Sequence, residues 1–427
     1  MLNKMLSGTK ERRVARRALG RQFGWLWGAY AVSAYGSGIG FGAFPLIAVR
    51  VLHSGPAEVS ALSAAGLAVS AMVAVPLAPW VEFRRKRPVM MAMDLIRFAA
   101  MISIPAAFAL GWLSYGQLLV VAIIVGAARI AFNAASGANL KTLVKPDDLL
   151  VATGRFESTT WSAIMVGPPL GGLAIGLLGP VTTMLADAVS YLLSAVGISM
   201  IRKSEPRPER AGAARLRLTD LADGWRHILS HPVLRPLFIN SLLVNGLLLA
   251  TEPLLVVLMV GRLGFAPWQF GLAFAAPCAG ALIGSRLARR VVARFGQHKV
   301  LLVGGTLRVC WPVGLAFMPR GVAGIILVIV LQLGVVTSIS VFNPVLAAYR
   351  LEHTASDRIS RTLSAWSVSS NATIAALTAL WGVLASFTGP RIAIGAAGAL
   401  LLATPLALPR RERVIQAAQP EPELARP

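Results

Sequence analysis

The segment GVAGIILVIVLQLGVVTSISVFNPVLA, residues 321–347, runs without a single charged side chain. Crossing a hydrocarbon layer about 30 Å thick at ~1.5 Å per residue takes roughly 20 apolar residues, with every backbone hydrogen bond closed inside one helix. The segment therefore reads as a membrane-spanning helix. Its closing Phe342-Asn343 has a counterpart 210 positions earlier, Phe132-Asn133. The same ungapped offset lays Asp147 on Asp357, Gly172 on Gly382 and Gly179-Pro180 on Gly389-Pro390. Identities among Ala and Leu would mean little in this chain, whereas Asn, Asp and Gly-Pro have positional roles at helix ends and turns.

Working outward, apolar runs between charge clusters predict twelve spans. They are residues 23–49, 57–81, 88–112, 117–138, 155–178, 180–201, 236–260, 268–288, 298–318, 321–347, 362–387 and 389–408. Because the repeat offset covers an even number of helices, the two halves run parallel, related by an axis along the membrane normal. The expected architecture is an all-α membrane protein of two six-helix bundles, 23–201 and 236–408. A cytoplasmic segment 1–22, a linker 202–235 and a tail 409–427 complete it. In the linker, Leu218, Leu221, Trp225, Ile228 and Leu229 recur at three- and four-residue steps, the pattern of an amphipathic helix lying on the cytoplasmic face.

Composition agrees: of the 427 residues 56% are hydrophobic and 14% charged, which excludes one large soluble core. The net charge of +23 invites a nucleic-acid reading, and its distribution argues against one. With the amino terminus inside, Arg50, Arg262, Arg320 and Arg391 fall in or beside outer loops, and Arg97, Arg129 and Arg308 lie within spans. Most of the remaining Lys and Arg gather in five segments on one side: the first 21 residues, Arg84-Arg85-Lys86-Arg87, the linker, Arg286 to Lys299, and the tail. This positive-inside pattern puts both termini in the cytoplasm of a plasma (inner) membrane protein. The first apolar run is longer than a signal-peptide core and lacks a clear cleavage site, so it is taken as a retained helix. Cys278 and Cys310 both fall in spans and suggest packing rather than a disulfide framework.

On span 5, Gly154-Arg155-Phe156-Glu157 leads into Gly167-Pro168-Pro169-Leu170-Gly171-Gly172, and span 6 continues with Asp187-Ala188-Val189-Ser190-Tyr191-Leu192. With His231-Pro232-Val233-Leu234-Arg235 before span 7, these segments resemble the major facilitator superfamily, in the branch of proton-coupled multidrug and macrolide-type efflux proteins. The glycine-proline run resembles that family's antiporter motif. Physically, Gly167 and Gly171 lie one turn apart and admit a neighbouring helix closely, while Pro168 and Pro169 remove donors and bend the rod. Glu82-Phe83-Arg84-Arg85-Lys86-Arg87 resembles the family's charged cytoplasmic loop, with Glu82 where an Asp is usual; its second-half counterpart is Gly284-Ser285-Arg286-Leu287-Ala288-Arg289-Arg290. The resemblance implies that Glu82, Arg85, Arg87 and Arg286 act in conformational switching. It also implies an Asp on span 1, yet the aligned position is Ser37 and span 1 holds no carboxylate.

An ionisable residue inside a membrane is costly and therefore a functional candidate. The family's arrangement implies that spans 1, 4, 7 and 10 line the cavity and that 3, 6, 9 and 12 are peripheral. Asp94, Arg97, Asp187 and Arg308 then read as structural charges, with Asp94 and Arg97 neutralising each other on one face. Glu252, deep in span 7 beside Pro253, is the expected proton-coupling carboxylate. Asn245 lies two turns earlier on the same face, and Arg129 on span 4 supplies a counter-charge or holds an anionic substrate. Tyr35 and Phe41 on span 1 lie deep enough to touch an apolar ligand or to pack, while Trp25 and Trp27 suit an interfacial belt. Glu157 reads either as a coupling group or as a negative charge stabilised at the start of span 5.

The expectation is a monomeric secondary transporter exporting a small, largely apolar compound by proton antiport, with no cofactor beyond the proton gradient. An importer or lipid flippase of the same fold, or a non-transporting receptor or scaffold, are the alternatives. No metal-ligand or nucleophile set suggests an enzyme.

Overall fold

The structure is a computed structural model that describes residues 19–82, 84–145, 148–202, 218–352, 354 and 359–408. Asp147 and Asp357 of the repeat, most of the segment 1–22 and nearly all of the tail lie outside the described residues. Among the described residues every regular element is helical, and ten helices are long and apolar enough to cross a membrane. Spans 2 and 8 complete the twelve. Span 2 is the single helix Pro56–Glu82. Span 8 breaks at Ala276-Pro277 into Pro267–Ala275 and Cys278–Phe295. Its second piece runs on to Phe295 rather than ending at 288 and carries the Arg-rich end of the span.

The other spans start and stop where chain chemistry dictates. Span 1 is Arg21–Ile39, interrupted at Gly40 and by Gly42 at φ 79°, and resumes as Ala43–Arg50. Span 3 is Lys86–Ala109, span 4 Tyr115–Leu143 and span 6 Pro180–Ser199. Span 5 is Leu149–Leu178, beginning six residues earlier than expected. Lipid thickness sets the minimum length of a span, but backbone hydrogen bonding can continue past it into the charged flanking region. Glu157 is therefore two turns inside the helix, and the first turn of span 5 holds no acidic residue. The reading of Glu157 as a helix-start charge is corrected.

In the second half, span 7 is Leu234–Val256, continued by a π-helical segment Val257–Arg262. Span 9 is Gln297–Cys310 with a 3-10 turn Pro312–Phe317, span 10 Val322–Glu352, span 11 Ile359–Thr388 and span 12 Pro390–Ala403. The linker helix is Leu218–Ser230. Its Ile228 is fully buried and the Trp225 indole donates to Ser369 Oγ on span 11 at 2.9 Å, while Leu229 is 48% exposed.

The internal repeat is visible in the backbone. Gly179 and Gly389 take φ of 84° and 87°, a conformation open to glycine, and each is followed by a proline that starts the next span. Span 1 packs on spans 5 and 6 as span 7 packs on spans 11 and 12, and span 3 packs on span 4 as span 9 does on span 10.

By backbone proximity the chain groups into Met1–Ala43 with Met72–Ala213, and Phe44–Ala71 with Ala214–Pro427. The second group thus includes the end of span 1 and the first half of span 2, which the division at the linker assigns to the first bundle. Close approaches fix this grouping: Gly382 lies directly against Ser60 and Ala57, Gly261 lies against Val49, and Arg50 Nη2 donates to the Phe265 carbonyl at 3.5 Å.

Candidate functional site

In the first unit, span 1 and span 5 run side by side in the same direction, joined along their length. The Trp27 indole donates to Thr159 Oγ1 at 2.9 Å, Tyr30 Oη shares a hydrogen bond with Thr160 Oγ1 at 2.6 Å, and Tyr35 Oη shares one with Ser162 Oγ at 2.8 Å. Further along, the two backbones touch. A methyl on Gly167 would stand 2.5 Å from Gly38 Cα, and one on Gly171 would collide with the Ile39 carbonyl. The glycines of the motif let span 1 reach van der Waals contact with span 5 at the point where the helix of span 1 ends. Pro168 and Pro169 sit inside the span 5 helix between them. Gly172, next in the motif, is buried. Trp27 takes part in this seam through its indole and is 37% exposed. Phe41 lies just beyond the break and is 38% exposed.

Beside this seam lies a buried charged cluster. Asp94 and Arg97, three apart on span 3, form an ion pair. The Arg97 guanidinium is sandwiched between the rings of Phe132 on span 4 and Tyr191 on span 6, at 4.6 and 4.4 Å from their centroids. Asp187 on span 6 is 5% exposed and is reached by hydroxyls: Ser37 Oγ of span 1 and Ser190 Oγ each donate to Oδ1 at 3.4 Å. Ser37 Oγ also shares a 2.8 Å hydrogen bond with Tyr191 Oη. Arg129 is exposed on span 4.

The second unit repeats one part of this plan. Arg308 on span 9, 1% exposed, stacks 3.7 Å from the centroid of Phe342, the repeat partner of Phe132. Its Nη2 donates to Asn240 Oδ1 of span 7 at 2.5 Å, and the Asn240 amide passes a hydrogen bond to the Thr404 carbonyl at 2.7 Å. A guanidinium on a Phe face, within spans three and four of each half, is thus common to both repeats. The sequence alignment flagged the Phe-Asn pairs without indicating what they held.

Glu252 and Asn245 are half-buried on span 7. Glu252 makes no hydrogen bond or ion pair among the described residues, and it stands between the regular part of the helix and its distortion by Pro253 and the π-helical turn. Proline withdraws a donor, and π-turns inside helices recur at functional sites. Of the loop residues, Arg85 is exposed, and the side chains of Glu82, Glu157 and Arg286 lie outside the described ones. Arg87 Nε donates to the Ile198 carbonyl at 3.2 Å and Nη2 to that of Ser199, capping the negative end of span 6.

A family model described as Major Facilitator Superfamily matches residues 26–348. The chain belongs to the major facilitator superfamily. It is 26% identical over 295 residues to the multidrug efflux pump Tap of Mycolicibacterium fortuitum, covering 66% of this chain and 70% of that protein. To Tap of Mycobacterium tuberculosis it is 27% identical over 308 residues, covering 68% and 70%. Among solved structures it is similar to the nucleoside transporter NupG, with a TM-score of 0.70 at 12% identity over 91% of this chain and 98% of that one. It is also similar to a bacterial homologue of the lysosomal transporter Spinster, with a TM-score of 0.70 at 11% identity over 94% and 99%. These structural likenesses establish the fold. With the family model and the Tap relatives, the chain is a multi-pass membrane transporter of the major facilitator type.

Proposed function

We propose that this transporter exports a small, largely apolar compound, a drug or secondary metabolite, by proton antiport and alternating access, from a plasma membrane in which both termini are cytoplasmic. The observation that carries the coupling is Glu252: a carboxylate within span 7, without a partner among the described residues, set where Pro253 and the π-turn interrupt the helix. A charge left unpaired at that depth is costly, and taking up a proton removes the cost. The naming of the Tap relatives as multidrug efflux pumps supports the export direction and a drug-like substrate class. Asn245, Tyr35, Phe41 and Arg129 are proposed to contact the substrate. The glycine-proline motif of span 5 is proposed as the hinge, because it rides directly on the broken end of span 1.

The test uses the full chain expressed in a strain lacking its own pumps, with ethidium as the exported dye. Glu252→Gln is expected to reach the membrane in normal amount and to lose pH-gradient-driven efflux. Undiminished gradient-driven efflux by that variant would remove Glu252 from the mechanism.

A further inference from the structure

The cluster between spans 1, 3 and 6 contains more acid than its single buried base can balance. Asp94 and Asp187 are 0% and 5% exposed, and Arg97 is 3% exposed. Arg97 is committed by contact to Asp94. Asp187 makes no ion pair among the described residues: the Arg97 charge reaches it without contact, the Ser37, Ser190 and Tyr191 hydroxyls bond it, and the bare backbone of span 1 lies against it, where methyls at Gly36 and Gly40 would strike Ser190 and the Asp187 carboxylate. The groups around it are few. Span 1 contributes neutral Ser37. Span 3 contributes Asp94 and Arg97. Span 4 contributes Arg129, exposed, whose charge reaches Tyr191; span 6 itself adds Ser190 and Tyr191.

The second repeat serves as an internal control. There the same arginine-on-phenylalanine arrangement is held by the neutral Asn240, with no carboxylate in contact with Arg308 among the described residues. Holding an arginine in this position therefore does not require two acids. The first repeat has one for the ion pair and one to spare.

We propose that Asp187 is a second proton-binding group of this transporter, loaded and unloaded through the Ser37 hydroxyl. Ser37 is exposed while Asp187 is buried, so the hydroxyl is the relay between the carboxylate and the surface of span 1. In the ionised state Ser37 donates to Asp187 Oδ1. When a proton from solvent forms an O–H bond on that carboxylate, Asp187 becomes the donor, and Ser37 turns its own hydrogen to Tyr191 Oη. No heavy atom leaves, and the cluster goes from net negative to neutral. Ser37 is less than one turn from the end of the span 1 helix, whose opposite side rests on Gly167 and Gly171. Loading Asp187 thus acts on the same short piece of span 1 that contacts the span 5 motif. The consequence for transport rests on the export reading above; the proton site itself does not.

The experiment is infrared difference spectroscopy between alkaline and acid buffer on the purified full chain in lipid nanodiscs, with no substrate present. The unsubstituted protein is expected to show a protonated-carboxyl stretch that shifts when aspartate is isotope-labelled. Asp187→Asn is expected to lose that component and Glu252→Gln to keep it. In Asp187→Asn/Ser37→Asp, which moves the carboxylate across the same contact, a component returns. No aspartate-dependent component in the unsubstituted protein, or one lost in Asp94→Asn/Arg97→Gln and kept in Asp187→Asn, overturns the assignment. Because nothing is transported, this failure is separate from a failure of the dye-efflux test.

Discussion

Replacing Gly167 by alanine puts a number on the contact between spans 1 and 5. The added carbon would stand 2.5 Å from Gly38 Cα and 2.6 Å from its carbonyl carbon. Relaxed carbon–carbon contact lies at about 3.5–4.0 Å, so the two backbones must part by about 1 Å. Neither side can yield by turning a side chain, because both partners are backbone. Overpacking of this kind costs about 1–3 kcal/mol. The matched control is Gly137→Ala on span 4, where no atom lies within 4 Å of the new carbon; in a helix interior that change gains up to about 1 kcal/mol. The assay is the thermal midpoint of the monodisperse protein in one detergent, read by size-exclusion fluorescence. Gly167→Ala is expected to melt below the unsubstituted protein and Gly137→Ala at or above it. If Gly167→Ala melts with or above Gly137→Ala, the backbone contact at the span 5 motif is not as described.

Other outcomes follow from the same structure. Asp94→Asn strands the Arg97 guanidinium in the first unit and is expected to lose about 3–5 kcal/mol, seen as a collapse of folded yield, while Asp94→Asn/Arg97→Gln recovers part of it. Arg87→Ala removes the charge that caps span 6 and is expected to cost about 0.3–2 kcal/mol, read from the thermal midpoint, with Arg87→Lys retaining most of the stability. Phe342→Leu removes the ring under Arg308 and is expected to cost roughly 1–2 kcal/mol beyond the volume change, whereas the same change at Phe387, 86% exposed, is expected to be neutral in the same melting assay.

What could be seen from sequence was what depends on neighbours along the chain. Apolar runs marked the spans and Gly-Pro turns the repeat, because each is a local demand of lipid or backbone. The Asp94–Arg97 pair was legible for the same reason, lying on one helical face. Partners on different spans were not legible. Trp27 finds Thr159, Ser37 finds Asp187 and Arg308 finds Asn240 across separations of 132, 150 and 68 residues, set by helix packing alone. Nor does composition reveal where a span ends once it leaves the lipid, which is why span 5 starts at Leu149 and Glu157 lies inside it. That Arg87 caps the carbonyls ending span 6 was likewise beyond reach, because its partners lie 111 and 112 residues away.

Movement of substrate driven by protons flowing the opposite way is the central claim. Purified full chain in sealed liposomes, with ethidium outside and an acid interior imposed by buffer exchange, measures this directly. Dye is expected to accumulate against its gradient while the interior alkalinises, both changes vanishing with a protonophore and in Glu252→Gln. Dye movement unaffected by the pH difference, or coupled to protons moving in the same direction as the dye, would contradict it.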